Sequence, residues 1–267
     1  MAVLKKIFVF WVFLIGSLLL LHHPSFAETT ISEKSLSSDI VIREVYQPGS
    51  GLPLGKIKSV RGEAIVFHRD PAVGYRVWTG MPLYQGDIIR TGETGWISCW
   101  LVDRCHIALM SETTLAVLQS TYNSARKTSA SFLQLKQGDA RFKLMPLPDL
   151  SSYEFKVQTD TAFMVTGNAD FIVIANSDTT EIIAFDNSRL EVTGMAAPEE
   201  VMYLSDFQRT VVQAEMVSKT VETVSREEAE TMKAEFHLTP RTDLFVAAPQ
   251  STHVNVMDSE TPGEENQ

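Results

Sequence analysis

The sequence predicts an all-β protein, built as a sandwich, barrel or solenoid, with one helix late in the chain. Between residues 55 and 212, short runs rich in β-branched and aromatic residues recur at intervals of about 8–12 residues, separated by turn residues. No amphipathic pattern of roughly 10–15 residues interrupts them, which disfavours a doubly wound α/β enzyme fold. The first clear helix signal comes only at Ser225.

The first 27 residues have the three parts of a cleavable bacterial-type secretory signal. Lys5 and Lys6 are positive, residues 7–21 form an apolar run, and Ser-Phe-Ala at 25–27 supplies small residues for signal peptidase. The run is shorter than the roughly 20 residues that cross a bilayer core. We therefore expect cleavage after Ala27 and a periplasmic or secreted protein with no stable membrane span. An uncleaved anchor is the alternative.

The net charge of the chain limits which classes of partner are expected. The chain carries a formal charge of −10, and removal of residues 1–27, with two Lys and no acid, leaves 21 − 33 = −12. Nucleic-acid binding needs Lys and Arg to displace counterions, so nucleic acid is not an expected partner. The acidity is typical of a protein kept soluble by its charge.

The chain divides into segments by composition. Residues 28–53 are rich in Ser, Thr, charge, Pro and Gly and predict a linker, with one strand between 39 and 46. Residues 54–210 hold the β domain, and residues 211–238 a second linker and the helix. Residues 239–267 predict a disordered acidic tail. Strands in the β domain are expected at 55–60, 64–66, 77–89, 96–101, 105–110, 115–119, 131–135, 140–144, 153–158, 162–165, 170–174, 181–185, 189–192, 200–204 and 210–212.

The helix has a start signal and an apolar face. Ser225 and Glu228 form a capping box, in which the Ser side chain accepts first-turn amides and the Glu reaches back. Ala229, Met232 and Phe236 form one apolar stripe that can dock on the β body.

Glycine and hydrophobic residues also recur in a specific order. Its most specific part is Gly86-Asp87-x-Ile89-x-Thr91-Gly92; around it stand Gly55-x-Ile57-x-x-Val60-x-Gly62, Leu101-x-Asp103-x-Cys105, Leu133-x-Leu135-x-x-Gly138 and Val165-x-Gly167-x-x-x-Phe171. This order resembles the FecR family over roughly residues 54–210. The resemblance implies a twisted two-sheet sandwich or solenoid-like periplasmic domain with an interaction or sensing role.

The turn residues of this pattern are interpreted as structural rather than ligand-binding. Gly86 can adopt a positive φ while Asp87 bonds the following amides. The remaining glycines, at strand ends or crossings where a side chain would obstruct the backbone, are Gly62, Gly92, Gly138 and Gly167.

The chain also departs from the family. Asp103-Arg104-Cys105 stands where the family usually has Asp-Gly-Ser, residues 168–170 (Asn-Ala-Asp) stand where it has Gly-Thr, and residues 205–208 stand where it has Ala-Gly-Gln. The sensor that names the family also has a cytoplasmic anti-sigma segment and a membrane-spanning helix. Only six residues precede the apolar run, so neither is expected here. We expect a free envelope protein without direct sigma-factor signalling.

Two cysteines, Cys99 and Cys105, lie on either side of an expected turn. Export permits a disulfide between them. A two-residue turn would put them on opposite faces of the hairpin, and a three-residue turn or a bulge on the same face. The disulfide is the favoured expectation, and two buried free thiols are the alternative.

Residues for chemistry are sparse. His68, His106, His237 and His253 have no metal-ligand spacing, and His68 to Asp70 predicts a polar turn. Nucleophile elbows, phosphate loops and dinucleotide fingerprints do not occur. No catalytic, cofactor-binding or metal-binding residue is therefore predicted. A hydrolase using one of the many carboxylate pairs is the least favoured alternative.

Three tryptophans are the candidate contact residues: Trp78, Trp96 and Trp100. Strand alternation places Trp96, Ser98 and Trp100 on one face and residues 97, 99 and 101 on the other. Such a ladder is either a stacking platform for a glycan or protein, or, more commonly, core. The leading hypothesis is a non-enzymatic envelope module that meets a protein partner through strand edges and loops. A module that binds cell-wall or extracellular polysaccharide is the alternative.

Overall fold

A computed structural model describes residues 40–68, 70–145, 150–214 and 220–239. The expected signal peptide at 1–27 lies outside the described residues, as does the expected tail from 240 onward. The elements within the described ranges are β1 (Val41–Arg43), β2 (Gly55–Arg61), β3 (Ala64–Phe67), β4 (Val73–Arg76), β5 (Pro82–Leu83), β6 (Asp87–Thr91), β7 (Trp96–Leu101), β8 (His106–Leu109), β9 (Thr114–Asn123), β10 (Thr128–Lys143), β11 (Ser152–Gln158), β12 (Ala162–Asn168), β13 (Asp170–Ala175), β14 (Thr179–Ala184), β15 (Arg189–Gly194), β16 (Ala197–Leu204), β17 (Gln208–Gln213), β18 (Glu222–Thr223) and α1 (Arg226–Glu235).

The strands form two layers that share the long strand β10. Its first half pairs with β9 and β11 in the first layer, and its second half with β8 and β13 in the second. Two register shifts interrupt its ladder with β9, at 132/133 and 135/137, and such bulges bend a strand. The first layer continues through β1, β3, β4, β6, β12, β15 and β16, and the second through β2, β5, β7, β14, β17 and β18. The predicted all-β architecture with a C-terminal helix is confirmed.

The main core lies between the layers. Leu133 and Val157 point into it from the first layer, and Ile107 and Phe142 from the second, all fully buried. Burying each such side chain stabilises the fold by about 1.5–3 kcal/mol. Alternation along each strand leaves the opposite side chains on the outer faces, where contacts with other molecules are possible.

A second apolar cluster covers part of the outer face of the second layer. Ile172, Ile183 and Phe185 of the sheet side pack against Ala229 and Phe236 of the helical segment. The predicted docking of the helix on the β body is therefore confirmed.

At the start of the helix, one of the two predicted capping contacts is present. The Glu228 N–H donates to Ser225 Oγ at 3.1 Å, so the N-cap is formed. The Glu228 carboxylate accepts a hydrogen bond of 3.2 Å from Arg209, which lies on β17, and does not reach back to the cap. A tertiary ion pair has displaced the local contact.

Short strands extend beyond the expected β domain at both ends. The strand expected between 39 and 46 is present as β1, which pairs in parallel with β4. β17 continues to Gln213 and pairs with β18, inside the segment expected to be linker. Among the described residues, no helix has the length and hydropathy to cross a membrane.

Candidate functional site

Strand β7 presents its side chains as the alternation predicts. Ile97, Cys99 and Leu101 enter the main core, while Trp96 and Trp100 lie on the outer face of the second layer. The two tryptophans differ in exposure, because only one of them is covered by the segment that follows α1.

Trp96 is not available to a ligand. It is 6 % exposed, its ring stacks on the His237 ring at 4.8 Å, and its Nε1–H donates to the His237 carbonyl at 3.3 Å. Trp96 is thus buried, as in the more common interpretation of such a ladder, although a segment 141 residues away in sequence covers it rather than the main core.

Trp100 is 37 % exposed and lies among basic groups. The Lys58 ammonium is 5.1 Å from the ring centroid, and the His106 ring meets it edge-on at 5.4 Å. His106 Nε2 is 2.7 Å from Ser98 Oγ. Burial, together with the positive charges of Arg141, Lys143 and Lys58, lowers the pKa of His106 to about 4.

Trp78 is 40 % exposed and stands at the edge of a buried aromatic cluster. Tyr46 meets it edge-on at 4.6 Å, and Tyr46 also contacts the rings of His68 and Tyr75, each at 5.5 Å. The Tyr84 ring completes the cluster, with its centroid 5.6 Å from that of the His68 ring.

A buried polar pair forms the base of this cluster. His68 Nδ1 lies 2.7 Å from Asp87 Oδ1, and Asp87 Oδ2 accepts the Tyr84 N–H at 2.7 Å. His68 is 9 % exposed and Asp87 1 %. The His68 ring does not take part in the polar turn expected at residues 68–70, because it turns inward to a residue 19 positions away, whereas Asp70 Oδ1 accepts the Ala72 N–H at 2.9 Å. Asp87 bonds a preceding amide rather than the following ones.

The turn glycine before Asp87 is as predicted, with Gly86 at φ 84°. Gly138 has φ 90°, and a Cβ there would lie 2.5 Å from Thr113 Oγ1, so a side chain would obstruct this crossing. A structural role remains our interpretation of the other glycines, Gly62, Gly92 and Gly167.

The two cysteines are free and buried. The Leu101 N–H donates to the Cys105 carbonyl at 3.0 Å, which closes a three-residue turn and puts both thiols on the core side. The two side chains thus lie on the same face of the hairpin, as a disulfide would require. The thiols are nevertheless unbonded, which corrects the expectation of a disulfide between them. Burial raises the pKa of Cys99 to about 12 and that of Cys105 well above its usual range.

Asp103 anchors this turn, a role that the sequence pattern naming it did not predict. Its carboxylate is fully buried and accepts the Cys105 N–H at 2.9 Å and the Tyr153 hydroxyl at 3.2 Å. Burial raises its pKa above the ordinary value. Arg104 follows with φ 65°, at the position where the family usually has Gly.

A buried ion pair was also missed. Arg141 on β10 donates to both carboxylate oxygens of Asp170 at 2.8 Å, and to the carbonyls of Lys233 and Phe236 at 3.2 Å. It thereby joins the sheet to the end of α1. Within the described ranges, no group of His, Cys, Asp and Glu is placed to hold a metal ion.

Comparison with known proteins finds a family model that matches the middle of the body. Residues 87–188, from the start of β6 to the turn before β15, match the model of the family described as FecR protein. Two crystal structures of a "putative anti-sigma factor" from Parabacteroides distasonis, at 1.65 and 2.50 Å, are similar to it. Their identities are 17 % and 16 %, with TM-scores of 0.42, over 54 % of this chain. The matches span 63 % and 62 % of those chains, less than two thirds of their length. No curated protein sequence matches the chain.

Proposed function

We propose that this chain is an exported, non-enzymatic protein whose β body acts as an interaction or sensing module in the bacterial cell envelope. The observation that carries the proposal is the match of residues 87–188 to the FecR family model. The secretory signal pattern at residues 1–27 supports export, and the body then meets its partner outside the cytoplasm.

The polar clusters support a structural rather than catalytic use of these residues. The carboxylates of Asp87, Asp103 and Asp170 are each engaged by protein donors and shielded from solvent. A general acid or base must instead reach a substrate proton. The exposed groups that can meet another molecule include Trp78 and Trp100 on the body.

Export is tested by fractionating cells that produce a C-terminally tagged chain and sequencing the N-terminus of the product. We expect a periplasmic or secreted protein that begins at Glu28. The matched control is Ala27→Phe, which removes the small residue that signal peptidase reads and should leave the precursor uncleaved. A cytoplasmic, full-length wild-type product would contradict the proposal.

The interaction role is tested by photo-crosslinking in intact cells. A photoreactive amino acid replaces Trp78 in one variant and Trp100 in another, and adducts are identified by mass spectrometry. A discrete adduct with one envelope protein supports the proposal. Exported protein that forms no protein adduct from either position contradicts it.

A polysaccharide-binding module is the second candidate, and Trp78 favours it. Its exposed ring stands perpendicular to Tyr46, an arrangement of aromatic surfaces on which a sugar ring can stack. Sedimentation with insoluble cell-wall polysaccharide should then carry down the wild-type protein but not Trp78→Ala. Equal sedimentation of both proteins, or of neither, would exclude Trp78 as a sugar contact.

A further inference from the structure

A row of basic and aromatic side chains crosses the outer face of the second layer. Lys56 on β2 is opposite Trp100 on β7, Trp100 is opposite His106 on β8, and His106 is opposite Lys143 on β10. Lys58 joins the row by lying over the Trp100 ring. We call these five residues the basic strip.

The strip is long enough for a short extended segment of another chain. Neighbouring strands lie about 4.8 Å apart, so the three steps from Lys56 to Lys143 span roughly 14 Å. Lys56, Lys58 and Trp100 are exposed, and the Lys143 side chain is 46 % exposed. A ligand can therefore reach these four residues, whereas His106 between Trp100 and Lys143 is only partly exposed and bonds the backbone of Leu238.

The charge of the strip is opposite to that of the whole protein. Lys56, Lys58 and Lys143 supply three positive charges, and the carboxylate of Asp170 beside Lys143 is paired with the buried Arg141 outside the strip, so the strip carries +3. The chain as a whole carries −10. After burial, the positive charges of Arg141, Lys143 and Lys58 each lower the pKa of His106.

Lys58 occupies one face of the Trp100 ring. A sugar ring on the face occupied by Lys58 would first have to displace the ammonium, which lies 5.1 Å from the ring centroid. A carboxylate, in contrast, can pair with Lys58 while the cation–π contact remains. The arrangement favours an acidic side chain over a neutral glycan.

We propose that the basic strip is the docking site for an acidic, extended polypeptide segment of the partner protein. This inference rests on the proposed interaction function and names the surface and the chemistry of the partner. Carboxylates of the segment pair with Lys56, Lys58 and Lys143, and its backbone crosses Trp100. Charge complementarity speeds encounter and selects against basic partners.

The test measures binding of fluorescein-labelled decaglutamate to the purified protein by fluorescence anisotropy at low salt. The variant is the double reversal Lys56→Glu, Lys58→Glu. The matched control is Arg126→Glu, Lys127→Glu, two exposed residues in the β9–β10 turn with the same change in net charge. We expect binding that weakens with added salt, that the strip variant loses by about tenfold or more, and that the control retains.

Three outcomes would overturn the assignment: no binding of decaglutamate, equal loss in both variants, or tighter binding of labelled polygalacturonate than of decaglutamate. The third outcome would identify an anionic glycan as the occupant. None of these results affects capture of an envelope protein from the Trp78 position in cells. Failure of the strip and failure of the proposed function are therefore distinguishable.

Discussion

The ion pair between Arg141 and Asp170 should be the main electrostatic link between α1 and the sheet. Both side chains are about nine-tenths buried, and the guanidinium engages the carboxylate with two bonds of 2.8 Å. The third guanidinium nitrogen donates to the carbonyls of Lys233 and Phe236 at the end of the helix. Loss of either partner therefore affects both the sheet and the docked segment.

The magnitude follows from what each change leaves behind. Asp170→Ala leaves a buried guanidinium without its carboxylate, which should cost about 3–5 kcal/mol of unfolding free energy. Arg141→Met leaves Asp170 with Lys143 at 3.5 Å, so loss of the ion pair itself should cost about 3 kcal/mol, the lower end of that range. Each of the two lost hydrogen bonds to helix carbonyls should add about 1 kcal/mol. The double variant leaves no uncompensated charge, so it should be more stable than the sum of the single losses predicts, by about 2 kcal/mol.

The assay is urea unfolding, because urea does not screen charges as guanidinium chloride does. Tryptophan fluorescence reports on the same region, since Trp96 stacks on His237 just beyond the helix. Additive losses within about 0.5 kcal/mol would refute the coupling between the two residues. In that case α1 would be held by its apolar contacts and by other ion pairs such as Arg209–Glu228.

Three further predictions concern single groups. Burial raises the pKa of Cys99 to about 12 and that of Cys105 above its usual range. Neither thiol should therefore react with Ellman's reagent in the native protein at mildly alkaline pH, and both should react in denaturant without reductant. If no thiol reacts in denaturant, the two cysteines form a disulfide. Unfolded chains take up a proton on His106 near pH 6.5, whereas the native state resists it down to about 4, so stability should be lost as pH falls through this window. His106→Gln should flatten the pH dependence of the urea midpoint, and identical slopes would contradict this assignment. Arg104→Gly should raise the unfolding free energy by about 1 kcal/mol, because Arg104 has φ 65°, a conformation that strains any residue except glycine. A lowered urea midpoint would show that contacts of the Arg104 side chain outweigh this backbone strain.

Several features followed from local sequence rules alone. The period of two along β7 put Trp96 and Trp100 on one face and Cys99 on the other, without deciding which face is core, and the Ser225 cap marked the start of the helix. These predictions succeed because alternation and capping depend on residues a few positions apart. The order of glycines and hydrophobic residues likewise carried the resemblance to the FecR family, and the model of that family matches residues 87–188.

Other features depend on residues that only folding brings together. His68 and Asp87, 19 positions apart, form a buried pair, and Trp96 is covered by His237, 141 positions later. No local pattern encodes such a contact, because strand register and the path of the docked segment decide it.

The sequence by itself determined an all-β body and a capped helix, since these depend on period, composition and near neighbours, and it predicts an export signal. Only the tertiary structure decided which of the tryptophans are exposed and that the cysteines share a face. It also placed Lys56, Trp100, His106 and Lys143 in one row, because that row exists only when four strands pair in this register.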